Sequence, residues 1–392
     1  MIYQFADCQL DARAHLLTRN GQEVHIEPQV FDLLVLLARM APALVSQDDM
    51  IAEVWKGRIV SDSTLAARIN AARKAVGDSG AAQEVIRTIP RRGVQMAVPV
   101  DAVADAPHTP QPTRKINQVI RYTTSRDGTR LAFAQSGEGP PLMRGSHWLS
   151  HLEHDWKSPV WRPLLDQLSA HHRLVRYDPR GTGLTDRTLR GGTLEDFVAD
   201  LTAVADAASL DRFAIFAASQ SAPVALAFAA AHPDRVSRMV LIGGFSRGSQ
   251  HRADASVGKA MTEMIRSGWG KVGSPLMQAF STVYMPTATP EELASFVEMK
   301  QISATPDTAA QLRSLIAEFD VSDVLDKVTA PVLLLHADRD AVHPVTESQD
   351  LAAQLPNAEF HMVDSPNHVM VPSDPNWREA LQAAQAFLSA AD

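Results

Sequence analysis

Phe213-Ala-Ile-Phe-Ala-Ala-Ser-Gln-Ser-Ala-Pro-Val-Ala-Leu-Ala-Phe228 is the stretch that decides the fold. Its apolar start, Phe213 to Phe216, is short and unbroken, as in a buried strand. The alanine-rich run from Ala222 to Ala231 reads as a helix stopped by His232-Pro233. Ser219 falls at the tip of the turn between them. A turn this tight brings together the residues two before and two after its apex, so both must be small; here they are Ala217 and Ser221. Such a turn lifts the Ser219 hydroxyl above the sheet edge and aims the helix N-terminus at whatever binds there. A plain strand and helix with a capping serine would leave the same local trace, so the rest of the chain has to decide.

At 392 residues the chain is too long for one ordinary domain, and two are expected; a hydrophobic content of 45% is enough for real cores. Cys8 is the single cysteine, which rules out internal disulfides and fits a reducing compartment. No apolar run reaches membrane-spanning length and the N-terminus lacks signal-peptide features, so a cytoplasmic protein with no membrane partner is expected. The net charge of -8 argues against general affinity for nucleic acid, but it hides an asymmetry. Residues 1–55 hold three Arg or Lys against eight Asp or Glu, whereas residues 56–100 hold eight against three. If the second group shares one face, that face can bind phosphates.

Within residues 1–100, Ile2 to Leu17, the turn Arg19-Asn-Gly21 and Glu23 to Ile26 suggest a small antiparallel sheet. Pro28 opens a helix carrying Phe31, Leu34 and Leu37; Ser46 caps a second and Ser61 a third. In the third, Leu65, Ile69, Ala72 and Val76 form one apolar stripe, while Thr64, Arg68, Asn70, Ala71 and Lys74 spread over the other faces. Small residues between basic and amide side chains let a helix approach a major groove closely. A hairpin follows, Val85-Ile-Arg-Thr-Ile and Val94-Gln-Met-Ala-Val98, with Arg91 and Arg92 at its tip.

Three helices and a basic hairpin make a winged helix-turn-helix, an α+β domain. The run Val60 to Asp78 with Ile86-Arg-Thr-Ile-Pro-Arg-Arg-Gly93 resembles the OmpR/PhoB-type output domain, in the branch shared with CadC- and ToxR-like regulators. The resemblance covers about residues 1–100. It implies double-stranded DNA as partner, with bases read by Thr64, Arg68 and Asn70, Arg73 as a further candidate, Lys74 on the same helix, and Arg91 and Arg92 at a neighbouring minor groove or phosphate. One such module covers a short site, so a homodimer is expected.

Residues 101–117, with three prolines and almost no large apolar side chain, read as a linker, and 118–392 as the second domain. Strand and helix signals alternate there: Gln118 to Thr123 and Leu131 to Gln135 as a hairpin, then Leu174 to Tyr177, Phe213 to Phe216, Met239 to Ile242, Val332 to His336 and Phe360 to Val363. This alternation calls for a mostly parallel sheet with helices on both faces. Asp340 and His368 each follow a strand, completing the order Ser219, Asp340, His368. In that arrangement His368 takes the serine proton and Asp340 fixes the imidazole tautomer; Asp338 is the rival acid.

From about Gln118 onward the sequence resembles the α/β-hydrolase superfamily, on Tyr177-Asp-Pro-Arg-Gly-Thr-Gly-Leu-Thr-Asp186, the Ser219 turn and both later loops. The resemblance implies a helical cap at about 247–328 that shapes a pocket. The usual His-Gly is here Arg144-Gly145, so the expected oxyanion donors are the backbone N–H groups of Gln220 and of Ser146 or His147. Histidines 147, 151 and 154, beside Asp155, would share a face if helical. In a Trp-rich stretch they read as pocket lining with Trp148 rather than as metal ligands, and no metal or cofactor is expected. The favoured reading is a DNA-binding transcriptional regulator whose hydrolase-fold domain senses a small molecule. The alternatives are an active, esterase-like serine hydrolase tethered to DNA, and a scaffold that only dimerises the reader.

Overall fold

A computed structural model of the chain describes residues 2–12, 16–24, 26, 28–55, 60–90, 92–103, 117–251, 255–269 and 274–390. It divides into two compact units, Met1–Arg114 and Lys115–Asp392.

The first unit opens with strands β1 (Ile2–Phe5), β2 (Cys8–Asp11), β3 (Leu16–Arg19) and β4 (Gln22–Glu23), paired antiparallel in sequence. Asn20 and Gly21, at φ +50 and +75, make the β3–β4 connection a turn of the primed type, as the Asn-Gly pair anticipates. Alternation turns Tyr3, Phe5, Cys8 and Leu10 inward against helix α1 (Pro28–Met40). Helix α2 (Gln47–Val54) carries a full capping box, Ser46 with Asp49. Helix α3 (Asp62–Ala75) starts on Ser61 and buries Leu65, Ile69 and Ala72. The wing is the hairpin of β5 (Ile86–Ile89) and β6 (Gly93–Met96), joined to the body by a Val45–Val94 bridge. Gly93 is required there: it sits at φ +143, and a Cβ would lie 2.0 Å from the Val45 carbonyl oxygen.

The start of the expected linker is corrected. Residues Asp101–Val103 form strand β7 and pair with Ile2 to Gln4, so they close the N-terminal sheet in the order β4-β3-β2-β1-β7. Residues 104–116 of that linker lie outside the described residues.

The second unit is an eight-stranded sheet: β8 (Val119–Thr124), β9 (Arg130–Ser136), β10 (Pro141–Arg144), β11 (Arg173–Tyr177), β12 (Phe213–Ala218), β13 (Val236–Ile242), β14 (Val332–Ala337) and β15 (Ala358–Val363). Their order is β15-β14-β13-β12-β10-β11-β9-β8, parallel from β15 to β11, with β9 and β8 antiparallel at one edge. Short helix α4 (Leu152–Asp155) and helices α5 (Arg162–His171), α6 (Leu194–Ala207) and α7 (Ser221–Ala231) follow in the first half. Helix α7 is apolar around its circumference and accordingly buried. Between β13 and β14 the chain leaves the sheet for α8 (Ala255–Gly268), α9 (Pro275–Tyr284), α10 (Pro290–Ser303) and α11 (Pro306–Ala317), within the stretch read as a cap. Helices α12 (Thr346–Gln354) and α13 (Pro375–Ser389) complete it. Ser219 thus stands at the carboxyl end of a central strand, where ligands bind in open α/β sheets.

Candidate functional site

Ser219 occupies the β12–α7 turn at φ +54, a left-handed conformation rare for a residue with a side chain. Its N–H donates to the Ile242 carbonyl at 2.8 Å, and its carbonyl accepts from Ala222 at 3.0 Å, so both sides of the apex are pinned. The absent flanking glycines have local substitutes. The Ser221 hydroxyl bridges the Ala218 N–H and carbonyl, each at 2.8 Å. Gly145 supplies the missing space, since a Cβ there would lie 2.8 Å from the Ser221 Cβ and 3.3 Å from that of Ala217. The clearance usually left by the turn is provided by the neighbouring strand.

On the other side of the site, His368 Nδ1 and Asp340 Oδ2 lie 2.6 Å apart, both side chains almost wholly buried. The other Asp340 oxygen accepts the N–H groups of Val342 and His343. Burial pushes the Asp340 carboxyl up, but the charge of His368 and hydrogen bonds from His336 and His368 outweigh it and hold the pKa well below the usual range. Asp338 instead accepts the Ser365 N–H at 2.9 Å. The His368 loop is tied to the cap, because the N–H groups of His368 and Val369 both donate to the Tyr284 carbonyl at the end of α9.

The Ser219 hydroxyl has a partner the sequence reading missed: His343 Nε2, at 3.3 Å. The imidazoles of His343 and His368 meet edge to face, 5.1 Å between centroids. His343 is fixed through its backbone, with its N–H on Asp340 and its carbonyl accepting from His336 Nε2 at 3.0 Å. The signal for it was present, three residues beyond Asp340 in the same loop.

Two small chambers flank Ser219. One, about 30 Å³, is lined by His368, His147, Trp148, Trp161, Phe296 and Met299 among others; the second, about 20 Å³, by His343, Phe245, Arg313 and Ile316. Trp148, Ser219, Gln220 and Tyr284 line both. His147 and Trp148 therefore lie where pocket lining was expected. His151 does not: it caps α4, accepting from the His154 N–H, and lines a separate groove with Glu153 and Lys157. The helical face imagined for the three histidines is absent, since only Leu152–Asp155 is helical. Burial, with Arg144 and His368 nearby, drives the His147 pKa well down, so its ring is neutral. Arg144 hydrogen-bonds His147 and lies over the Trp161 ring, and burial lowers its own pKa to about 10. Of the expected oxyanion donors, Gln220 directly precedes α7, where backbone N–H groups lack helical acceptors. Ser146 spends its hydroxyl on the Tyr177 carbonyl and leaves its backbone beside Gln220, whose side chain donates to the Ser146 carbonyl at 3.1 Å.

In the N-terminal unit, Thr64, Arg68, Ala71 and Lys74 share one side of α3 at helical spacing, with exposed Ala67 between them. Arg68 Nε donates to Gln29 of α1 at 3.1 Å, while Asn70, Lys74 and Arg92 are exposed. Arg73 is corrected. It is 5% exposed and donates to the Ile86 carbonyl at 3.0 Å and the Thr88 hydroxyl at 2.7 Å, so it clamps the wing to α3 rather than facing outward. Arg91 lies outside the described residues.

A parallel sheet with a serine at the β12–α7 turn and a paired Asp–His beyond it defines a class, and the comparisons agree. Residues 155–375, more than half of the chain, match the alpha/beta hydrolase fold family, and the chain belongs to it. Residues 21–96 match the family described as transcriptional regulatory protein, C terminal. The chain is thus a transcription-regulator DNA-binding domain fused to an α/β-hydrolase domain.

Among relatives, the putative carbamate hydrolase RutD of Caulobacter segnis is 26% identical over 232 residues, 55% of this chain and 81% of that protein. The transcriptional activator CadC of Escherichia coli is 36% identical over 85 residues, 21% of this chain and 17% of CadC. Among solved structures, an esterase from Exiguobacterium antarcticum aligns with TM-score 0.59 at 17% identity, covering 69% of this chain and 100% of the esterase. A hydrolase from Pseudomonas aeruginosa gives 0.57 at 19%, covering 69% and 98%. At these identities the structures establish the fold alone. Among the described residues no helix is long and apolar enough to cross a membrane.

Proposed function

We propose that the hydrolase-fold domain senses a small molecule and that its occupancy sets the affinity of the winged helix for DNA, in a cytoplasmic homodimer. Thr64, Arg68 and Asn70 read bases, Lys74 stands on the same helix, and Arg91 and Arg92 meet a neighbouring minor groove or phosphate. The observation that carries this reading is the narrowness of the site. Chambers of about 30 and 20 Å³ hold one or two waters each. Anything larger requires the side chains that line them to move apart, and a ligand that prefers the widened state shifts the population toward it. The test is differential scanning fluorimetry of the full chain against short esters, carbamates and amides. Each compound that raises the melting temperature is then added to a binding titration with the chain's own promoter DNA. Stabilisation with no change in DNA affinity contradicts the proposal.

A second reading, hydrolysis at Ser219, is supported by the His368–Asp340 pair and the strained Ser219 backbone. There Ser219 attacks the acyl carbon, His368 accepts its proton, Asp340 holds the imidazolium, and the N–H groups of Gln220 and of Ser146 or His147 receive the oxyanion; the leaving group departs with the proton from His368, and water then releases the acyl group from Ser219. The bond from Ser219 to His343 instead of His368 favours the sensor. Turnover of p-nitrophenyl acetate that vanishes in Ser219→Ala decides for the enzyme; its absence in the parent decides against.

A further inference from the structure

The buried arginines of this domain are nearly all spoken for. Arg180 lies 2.6 Å from Asp200 and 2.8 Å from Asp127, and Arg176 donates to the Leu152 carbonyl at 2.7 Å. Arg144 has His147. Arg313, on α11 of the cap, is only partly buried; its Nε, like that of Arg176, is buried with no hydrogen-bond partner, but unlike Arg176 it has no acidic side chain paired with it among the described residues. It is also the arginine that lines the chamber beside Ser219 and His343. Its charge is felt by Tyr284, across the same chamber, where it opposes the upward push that burial gives the phenol. A partly exposed guanidinium beside the serine, with no acidic partner among the described residues, can take an anion from a ligand.

Resting on the ligand-sensing reading above, we propose that Arg313 binds the carboxylate of the ligand while an acyl group of the same molecule sits at Ser219. The planar fork of a guanidinium matches a carboxylate with two parallel hydrogen bonds. Phe245, Ile316 and Tyr284 form the walls between, so the connecting part of the ligand is apolar, and the small chamber keeps it short. The ligand class is the half-ester or half-amide of a short dicarboxylic acid. A neutral ester leaves Arg313 unpaired and gains only the apolar contacts.

The experiment is isothermal titration of the full chain carrying Ser219→Ala, which prevents turnover, with monomethyl glutarate and with dimethyl glutarate. The half-ester is expected to bind about tenfold or more tightly than the diester. Adding Arg313→Gln removes the preference, and Arg313→Lys restores part of it while showing that the position tolerates change. Equal affinity for the two compounds, or a preference that survives Arg313→Gln, overturns the inference. If only the diester binds, Arg313 has no such role and the sensing reading stands; if neither binds, both fall. Sodium phosphate matching the half-ester also overturns it, by revealing a general anion site.

Discussion

Two buried cations, Arg73 and Lys300, carry opposite lessons. Arg73 is satisfied: its guanidinium bonds the Ile86 carbonyl, the Thr88 hydroxyl and, at 3.4 Å, the Asn70 amide oxygen. Arg73→Ala is expected to lower the stability of the N-terminal domain by about 2–3 kcal/mol, because buried acceptors lose a charged donor. Chemical denaturation of the variant checks this; unchanged stability would show that the wing does not depend on the clamp. Arg68→Ala should leave stability nearly unchanged yet weaken specific binding by about 1–3 kcal/mol, with little effect on random DNA. Equal losses on both DNAs would remove its base-reading role. No acid among the described residues pairs with Lys300 of α10. It donates to the Ser281 hydroxyl at 3.2 Å and packs over the rings of Phe296, Phe280 and Tyr284. Burial drives its pKa well below the ordinary 10.5, so the folded state holds fewer protons than the unfolded chain over the interval between the depressed and the ordinary value. Stability therefore rises with pH across that interval on account of this residue. Lys300→Met is expected to flatten that rise, read as melting temperature against pH, and to cost little otherwise; a slope identical to the parent's would show that Lys300 is charged in the folded protein.

At the scale of elements, the wing depends on one close approach. Gly93→Ala forces a methyl group into the Val45 carbonyl and should destabilise the N-terminal domain by about 1–3 kcal/mol, with a matching loss of DNA binding. Thermal melts and gel shifts on the same preparation check it, and a variant that melts and binds like the parent would refute the contact. Most of these elements could be read from the chain, because their signals are local: caps at Ser46 and Ser61, the Asn20-Gly21 turn, and the unbroken apolar runs of β12, β13 and β14. What escaped depends on distant partners. Strand β10 has four residues, begins with proline and ends in a buried arginine, so nothing along the sequence marks it as the strand beside β12. Strand β7 exists only through its pairing with β1. Arg73 has the outward look of a recognition residue until the wing folds over it. The cap helices showed their periodicity, but which side chains meet Ser219 is set by tertiary packing, so Tyr284, Phe296 and Arg313 were not foreseen. His343 lay in the Asp340 loop, where order along the chain favours no one histidine.

For the whole molecule, the proposed function rests on coupling between two kinds of binding carried by one chain. DNA binding should weaken steeply with salt, because phosphates are held by lysine and arginine. Pocket binding should not, except through the proposed carboxylate. If the two are linked, the dependence is reciprocal: a ligand that changes DNA affinity by some factor must have its own affinity changed by the same factor when DNA is bound. The most direct test is the dissociation constant for promoter DNA, measured by fluorescence anisotropy on the full chain with the pocket empty and with it saturated by a ligand that stabilises the parent. A change of about fivefold or more is expected, lost when Ser219 and Arg313 are replaced together. An identical constant with the pocket full and empty would contradict it.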